Sequence, residues 1–238
     1  MRKFSLAIIA MIAFSGCDKQ DQAEKKSEPE SPKPAVAQIA APKSPEPKVD
    51  KGPWEGPFGL KMGLSEAELA AAIPDIKTIK PNFFSASTPP KAHDAFESYS
   101  LIASVPTGLC KIAAIGKDIS TSSFGDELKS AHMAMKDALT EKYGKPTEHF
   151  DFLKNGSIWT ERKYWTMGML KKDRTLMTAW QQKTPKNPKG VELPNNIKTI
   201  LIESEATQTD TGYISVRYEF SNLDECFEAN SKEKNKAL

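Results

Sequence analysis

Tyr213-Ile214-Ser215-Val216-Arg217-Tyr218-Glu219-Phe220 is the stretch that decides the fold class. Ile214, Val216, Tyr218 and Phe220 fall on one side of an extended chain, and Ser215, Arg217 and Glu219 fall on the other. A strand covered on both faces would be apolar throughout. This alternation requires an antiparallel sheet with one face on a core and one face in water.

Working outward, residues 197–203 form a strand that reaches 213–220 through a polar loop ending in Gly212. Residues 99–105 and 109–115 flank Pro106-Thr107-Gly108, the chemistry of a hairpin turn. Residues 157–170 and 175–182 flank Lys171-Lys172-Asp173-Arg174, which predicts a second hairpin. The periodicity changes over 124–143. There Phe124, Leu128, Ala131, Met135, Ala138 and Leu139 recur at spacings of three and four, Gly144 supplies a left-handed stop and Pro146 forbids resumption. A shorter helix opens at Ser65, where Ser65 and Glu68 form a capping box, Leu64 and Leu69 a hydrophobic staple, and Pro74 ends the run. The expected fold is α+β: an antiparallel sheet of about six strands, one long helix packed on one face, and a short N-terminal helix. Phe58-Gly59 and Phe124-Gly125 each precede a helix followed by strands, a thin trace of two α-β-β units. Gly59-Leu60-Lys61-Met62-Gly63-Leu64-Ser65 resembles the strand-to-helix opening of small SmpA/BamE-like envelope lipoproteins, and no function follows from so short a match.

The folded part is bounded by composition. All the Trp and Tyr residues lie within 53–230. Residues 231–238 are Lys-rich without apolar periodicity and are expected to fray. Before the domain, 17–52 interleaves Pro29, Pro32, Pro34, Pro42, Pro45 and Pro47 with Glu, Lys, Ala and Ser. Such a stretch buries too little apolar surface to offset its ordering entropy and reads as a disordered tether. Fully extended it would span on the order of 100 Å.

Residues 1–16 read as an export signal. Arg2 and Lys3 precede the apolar run 4–14, which is shorter than the roughly 20 residues of a spanning helix. Phe14-Ser15-Gly16-Cys17 resembles the lipobox of bacterial prolipoproteins, with Phe where that family most often has Leu. The resemblance implies cleavage before Cys17, diacylglycerol on its thiol and an acyl group such as palmitate on the new amine. The protein would then face the periplasm from a cell membrane, held by lipid alone. Asp18 resembles the inner-membrane retention signal of enterobacterial lipoproteins, which points to the inner rather than the outer membrane.

The candidate chemistry is sparse. Cys110 and Cys226 form an even pair beyond Cys17, and in an oxidising compartment they predict a disulfide. His93, His132 and His149 lack metal-ligand spacing, and no metal or cofactor is expected. Met133 and Met135 would diverge on a helix, whereas Met167 and Met169 would share a strand face, where soft-metal binding competes with core packing. No nucleophile elbow, phosphate loop or dinucleotide fingerprint is present, so an enzyme is the less favoured reading. A hydrolase using some carboxylate pair remains an alternative, as does a soft-metal or small-ligand carrier. A net charge of +2 gives no electrostatic case for nucleic acid. Trp159, Arg162, Tyr164 and Trp165 mix aromatic and cationic side chains as partner surfaces do. The expectation is therefore a non-catalytic binding module in the envelope, holding a protein or glycan partner.

Overall fold

Phe84, Leu101, Ile112, Tyr218, Ile200 and Trp180 lie side by side across six strands, and all six are buried. This row is the backbone of the core in the structure, a computed structural model that describes residues 50–235. The predicted signal, the lipidation at Cys17 and the tether as far as residue 49 lie outside the described residues.

The strands are β1 (Lys77–Lys80), β2 (Phe83–Ala86), β3 (Phe96–Ser104), β4 (Gly108–Gly116), β5 (Ile119–Ser120), β6 (Glu148–Leu153), β7 (Arg174–Gln181), β8 (Ile197–Ala206) and β9 (Thr211–Phe220). They form one antiparallel sheet in the order β1-β2-β3-β4-β9-β8-β7-β6, with β5 added beside the start of β9. The helices are α1 (Glu66–Ala72), α2 (Asp126–Tyr143), α3 (Trp165–Leu170) and α4 (Leu223–Asn235). The α+β class with an antiparallel sheet holds, but among the described residues the sheet has nine strands instead of about six. The extra strands β1, β2 and β5 are too short to show a period, and β6 is exposed along almost all of its length. Among the described residues no helix is long and apolar enough to cross a membrane.

The strand order is internally symmetric. β1 to β4 run from one edge to the centre, and β6 to β9 run from the other edge to the centre, meeting at the β4–β9 pair. α2 opens at Asp126 directly after Phe124-Gly125, whereas α1 opens at Glu66, well beyond Phe58-Gly59, and the halves read α-β-β-β-β and α-β-α-β-β-β, so the likeness is one of strand order. α1 opens on the expected capping box: the Ser65 N–H donates to Glu68 Oε2 at 2.8 Å and the Glu68 N–H donates to Ser65 Oγ at 3.3 Å. Gly108 turns the β3–β4 hairpin at φ 66°, and a side chain there would strike the backbone of Gly63.

Three local expectations change. Residues 157–170 do not form a strand. Trp165, Thr166, Gly168 and Met169 are buried at helical spacing, and α3 forms with Trp165 and Met169 packed into a common cluster. β7 therefore pairs with β6. α2 starts at Asp126, after Gly125 at φ 71°, and its buried line is Leu128, His132, Leu139 and Tyr143. The Ala131-Met135-Ala138 line of the expected stripe is rotated away from the deepest core, and Phe124 is exposed. Finally, α4 occupies the sheet face opposite α1 and α2, over β3 and β4. Leu223, Cys226 and Asn230 bury one stripe of it, and it runs to Asn235, into the stretch expected to fray. The disulfide joins Cys226 of α4 to Cys110 of β4, with Cα atoms 6.4 Å apart.

Candidate functional site

A sheet with two edges exposes two rows of backbone donors and acceptors, and natural proteins guard such rows. The β1 edge is guarded. It is four residues long, its pairing with β2 shifts register between Thr78 and Lys80, Lys77 and Lys80 flank it, and Pro74 and Pro81 lie on either side. The β6 edge is not. Its six residues pair with β7 in unbroken register, and among the described residues no strand covers its other side.

Alternation along β6 then places Phe150 and Phe152 on the face away from α2. Their rings meet edge-on at 6.5 Å, and they are 36% and 47% exposed. Aromatic rings at such exposure leave apolar area in water that burial against a partner would recover, at about 25 cal/mol per Å². The same open face carries paired charges nearer the centre, Arg217 with Glu203 at 3.0 Å and Lys111 with Glu219 at 3.1 Å. The exposed aromatic pair of β6 thus lies beyond these ion pairs, at the edge of the sheet.

The loop that leaves β6 adds further aromatic side chains at the end of the same edge, on the helix-bearing side. Trp159 and Tyr164 are half-buried and stack edge-on at 5.7 Å, Ile158 is 76% exposed, and Arg162 and Lys163 are exposed beside them. Ser157 Oγ donates to Asp173 at 2.9 Å and accepts from the Trp159 N–H at 3.2 Å, which fixes the start of the loop. Trp159 and Leu153, the last residue of β6, meet around Gly168, so loop and edge are contiguous. Trp165 does not belong to this surface. It is only 4% exposed, its ring fills the space above Gly125, where any side chain would overlap it, and Lys129 and Arg174 cover its faces.

The remaining sequence candidates separate. Met167 and Met169 sit on α3 and not on a strand, and Met169 is buried in the core. His132 is fully buried, with Nδ1 2.9 Å from Ser204 Oγ and Nε2 2.9 Å from Thr178 Oγ1. Thr178 Oγ1 also meets His149 Nδ1 at 2.8 Å, so a hydrogen-bonded chain links the interior to the surface and pins α2 to β7 and β8. Burial, and then the neighbouring His149 and Lys136, hold the His132 pKa down at about 4, so the imidazole is neutral near pH 7. Among the described residues no group of three or more His, Cys, Asp or Glu side chains is placed to hold a metal ion. Phe150, Phe152 and Ile158 were not singled out from the sequence, although Phe150-Asp151-Phe152 carries the period-two signal of a half-exposed strand.

No protein-family model, curated protein or solved structure matches this chain.

Proposed function

We propose that this chain is a non-catalytic binding module of the bacterial envelope, anchored by lipid at Cys17, that captures a polypeptide partner by strand addition at β6. The observation that carries the reading is the contrast between a guarded β1 edge and a regular β6 edge bearing Phe150 and Phe152. In strand addition, main-chain hydrogen bonds supply affinity and alternate side chains supply specificity. Here Phe150 and Phe152 read the partner from one face, and Trp159, Arg162 and Tyr164 contact it beyond the strand end. A tether with a reach on the order of 100 Å raises the effective concentration of such an edge near partners on the same membrane.

The test is photo-cross-linking from position 152 in the intact, membrane-bound protein. A discrete polypeptide adduct, lost in Phe150→Lys and in Trp159→Ala, is expected, together with slowed amide exchange along β6 in the complex. Adduct formation that survives both substitutions would refute the reading.

A further inference from the structure

On the helix-bearing face, the junction between the two halves is not filled. Two adjoining cavities of about 520 and 420 Å³ run along β9, and each lies in the size range of ligand pockets, roughly 300–1,000 Å³. Ile214, Val216 and Tyr218 form the floor, and His93, Met135 and Ala138 line both cavities, which makes the two one groove. One wall is the face of α2 rotated off the core, where Ala134 and Ala138 stand exposed. Phe58 closes the opposite side. It is held at φ 56°, a conformation that costs a bulky residue on the order of 1–3 kcal/mol. Edge-on contacts with Phe96, Tyr99 and Tyr218 at 5.7, 4.8 and 5.7 Å keep its ring in place.

The rim is predominantly positive. Lys91, Lys117 and Lys142 reach it from three different segments, and Glu55 is the one acid among the lining residues. Among the described residues none of these three lysines forms an ion pair, whereas Lys111, Lys129, Lys163, Lys172 and Lys198 elsewhere all do. The groove therefore joins a mainly apolar cavity, lined by Ile119, Ala131, Ala134 and Ile214, to a more polar one whose mouth is predominantly positive. Its floor and its α2 wall offer nothing to a peptide backbone, because β9 is paired on both sides and α2 satisfies its own backbone groups. An alkyl chain needs no such partners. The lining has no arginine, the side chain that grips phosphate bidentately, and separated lysine ammoniums suit a singly charged head.

We infer that this groove binds a single-chain amphiphile with a carboxylate head, a long-chain fatty acid, the chain lying along β9 and the carboxylate among Lys91, Lys117 and Lys142. This site is separate from the β6 edge and stands without it.

Full-length protein carrying Cys17→Ser, which has no acyl group of its own to compete, is titrated calorimetrically with tetradecanoate below its micelle concentration. Tetradecyl phosphate and tetradecyltrimethylammonium serve as parallel probes. Saturable binding of one tetradecanoate is expected, weakened at least about ten-fold by Lys117→Glu with Lys142→Glu. Ala138→Trp, which fills the groove from an exposed helix position, abolishes it with the melting curve unchanged, and Ala134→Phe does the same from the second cavity. Absence of saturable binding, equal affinity for the ammonium probe, or binding indifferent to both filling substitutions overturns the inference. Tighter binding of the phosphate than of tetradecanoate overturns the choice of head group.

Discussion

The two halves of the sheet share one plan and end differently. In the first half, α1 is a short helix fastened by its capping box, the outermost strand is bulged and lysine-flanked, and α4 braces the open face through the disulfide. In the second half, α2 is long and is fastened through a buried histidine, the outermost strand is regular, and Phe150 and Phe152 lie bare on the open face. The bulged, lysine-flanked edge and the disulfide brace lie on one side of the β4–β9 seam, and the regular edge with its exposed aromatic pair lies on the other. On the proposed reading, one half of the sheet serves rigidity and the other is free for contact.

Removing the brace tests the rigid half and has the largest expected effect. Cys110→Ala with Cys226→Ala should lower the unfolding free energy by about 3 kcal/mol, since the bridge closes a long loop and holds α4 on β3 and β4. The check is a denaturant titration, with hydrogen exchange to locate the loosened segment. Exchange should accelerate in α4, β3 and β4 and leave β6 and β7 unchanged. Uniform acceleration would mean that the halves do not differ in the way described.

The second half should respond to acid in its own way. His132 has a folded pKa of about 4 against an ordinary 6.5, so the unfolded chain binds the proton more readily. Its stabilising contribution is complete above pH 6.5 and is lost as pH falls towards 4, by about 3 kcal/mol in total. Glu68 and Glu127 are held low by the backbone N–H groups of Ser65 and Ser122, and their contributions disappear only below the ordinary carboxylate range. A His132→Gln variant, compared with the parent by denaturant midpoints from pH 7.5 to 4.5, should show a flatter profile across that window. Parallel profiles would remove His132 as the fastening of α2.

The central strands and the long helix were legible because their burial is one-sided and periodic over many residues, as in the readings over 213–220 and 124–143, which fall on β9 and α2. The disulfide followed from compartment and cysteine count. The region 157–170 misled because Trp159 and Trp165 invite a strand reading, while the burial of Trp165 depends on Gly125, distant in sequence and close in space. The groove was invisible for a related reason. Which face of α2 meets the sheet is decided by the partners of His132 on β7 and β8, so the exposure of Ala134 and Ala138 is a tertiary fact. β6 lay within reach of its own alternation, but the lack of a strand beyond it is a property of sheet order.

The smallest effects on stability, and the most direct on the comparison, come from exchanging edge chemistry. Phe150→Lys with Phe152→Lys removes rings that are already partly in water, so it should change stability by no more than about 0.5 kcal/mol. It should nonetheless end partner capture, because charge on an edge strand opposes the approach of a second strand. The reciprocal change is Lys77→Phe, which places an aromatic ring two residues before Ile79, itself 67% exposed. This gives β1 the apolar alternation of β6 on a strand whose pairing with β2 is bulged. Strand addition needs a continuous ladder, so this variant should gain neither partner binding nor self-association by analytical ultracentrifugation, and its stability should also stay within about 0.5 kcal/mol. Gain of association in Lys77→Phe would show that exposed aromatics alone make an edge adhesive and that the regularity of β6 is incidental. Retention of binding in the Phe150→Lys, Phe152→Lys variant would show the converse, that regular backbone suffices. Loss in the second variant without gain in the first is the outcome that requires both, as the contrast between the two edges implies.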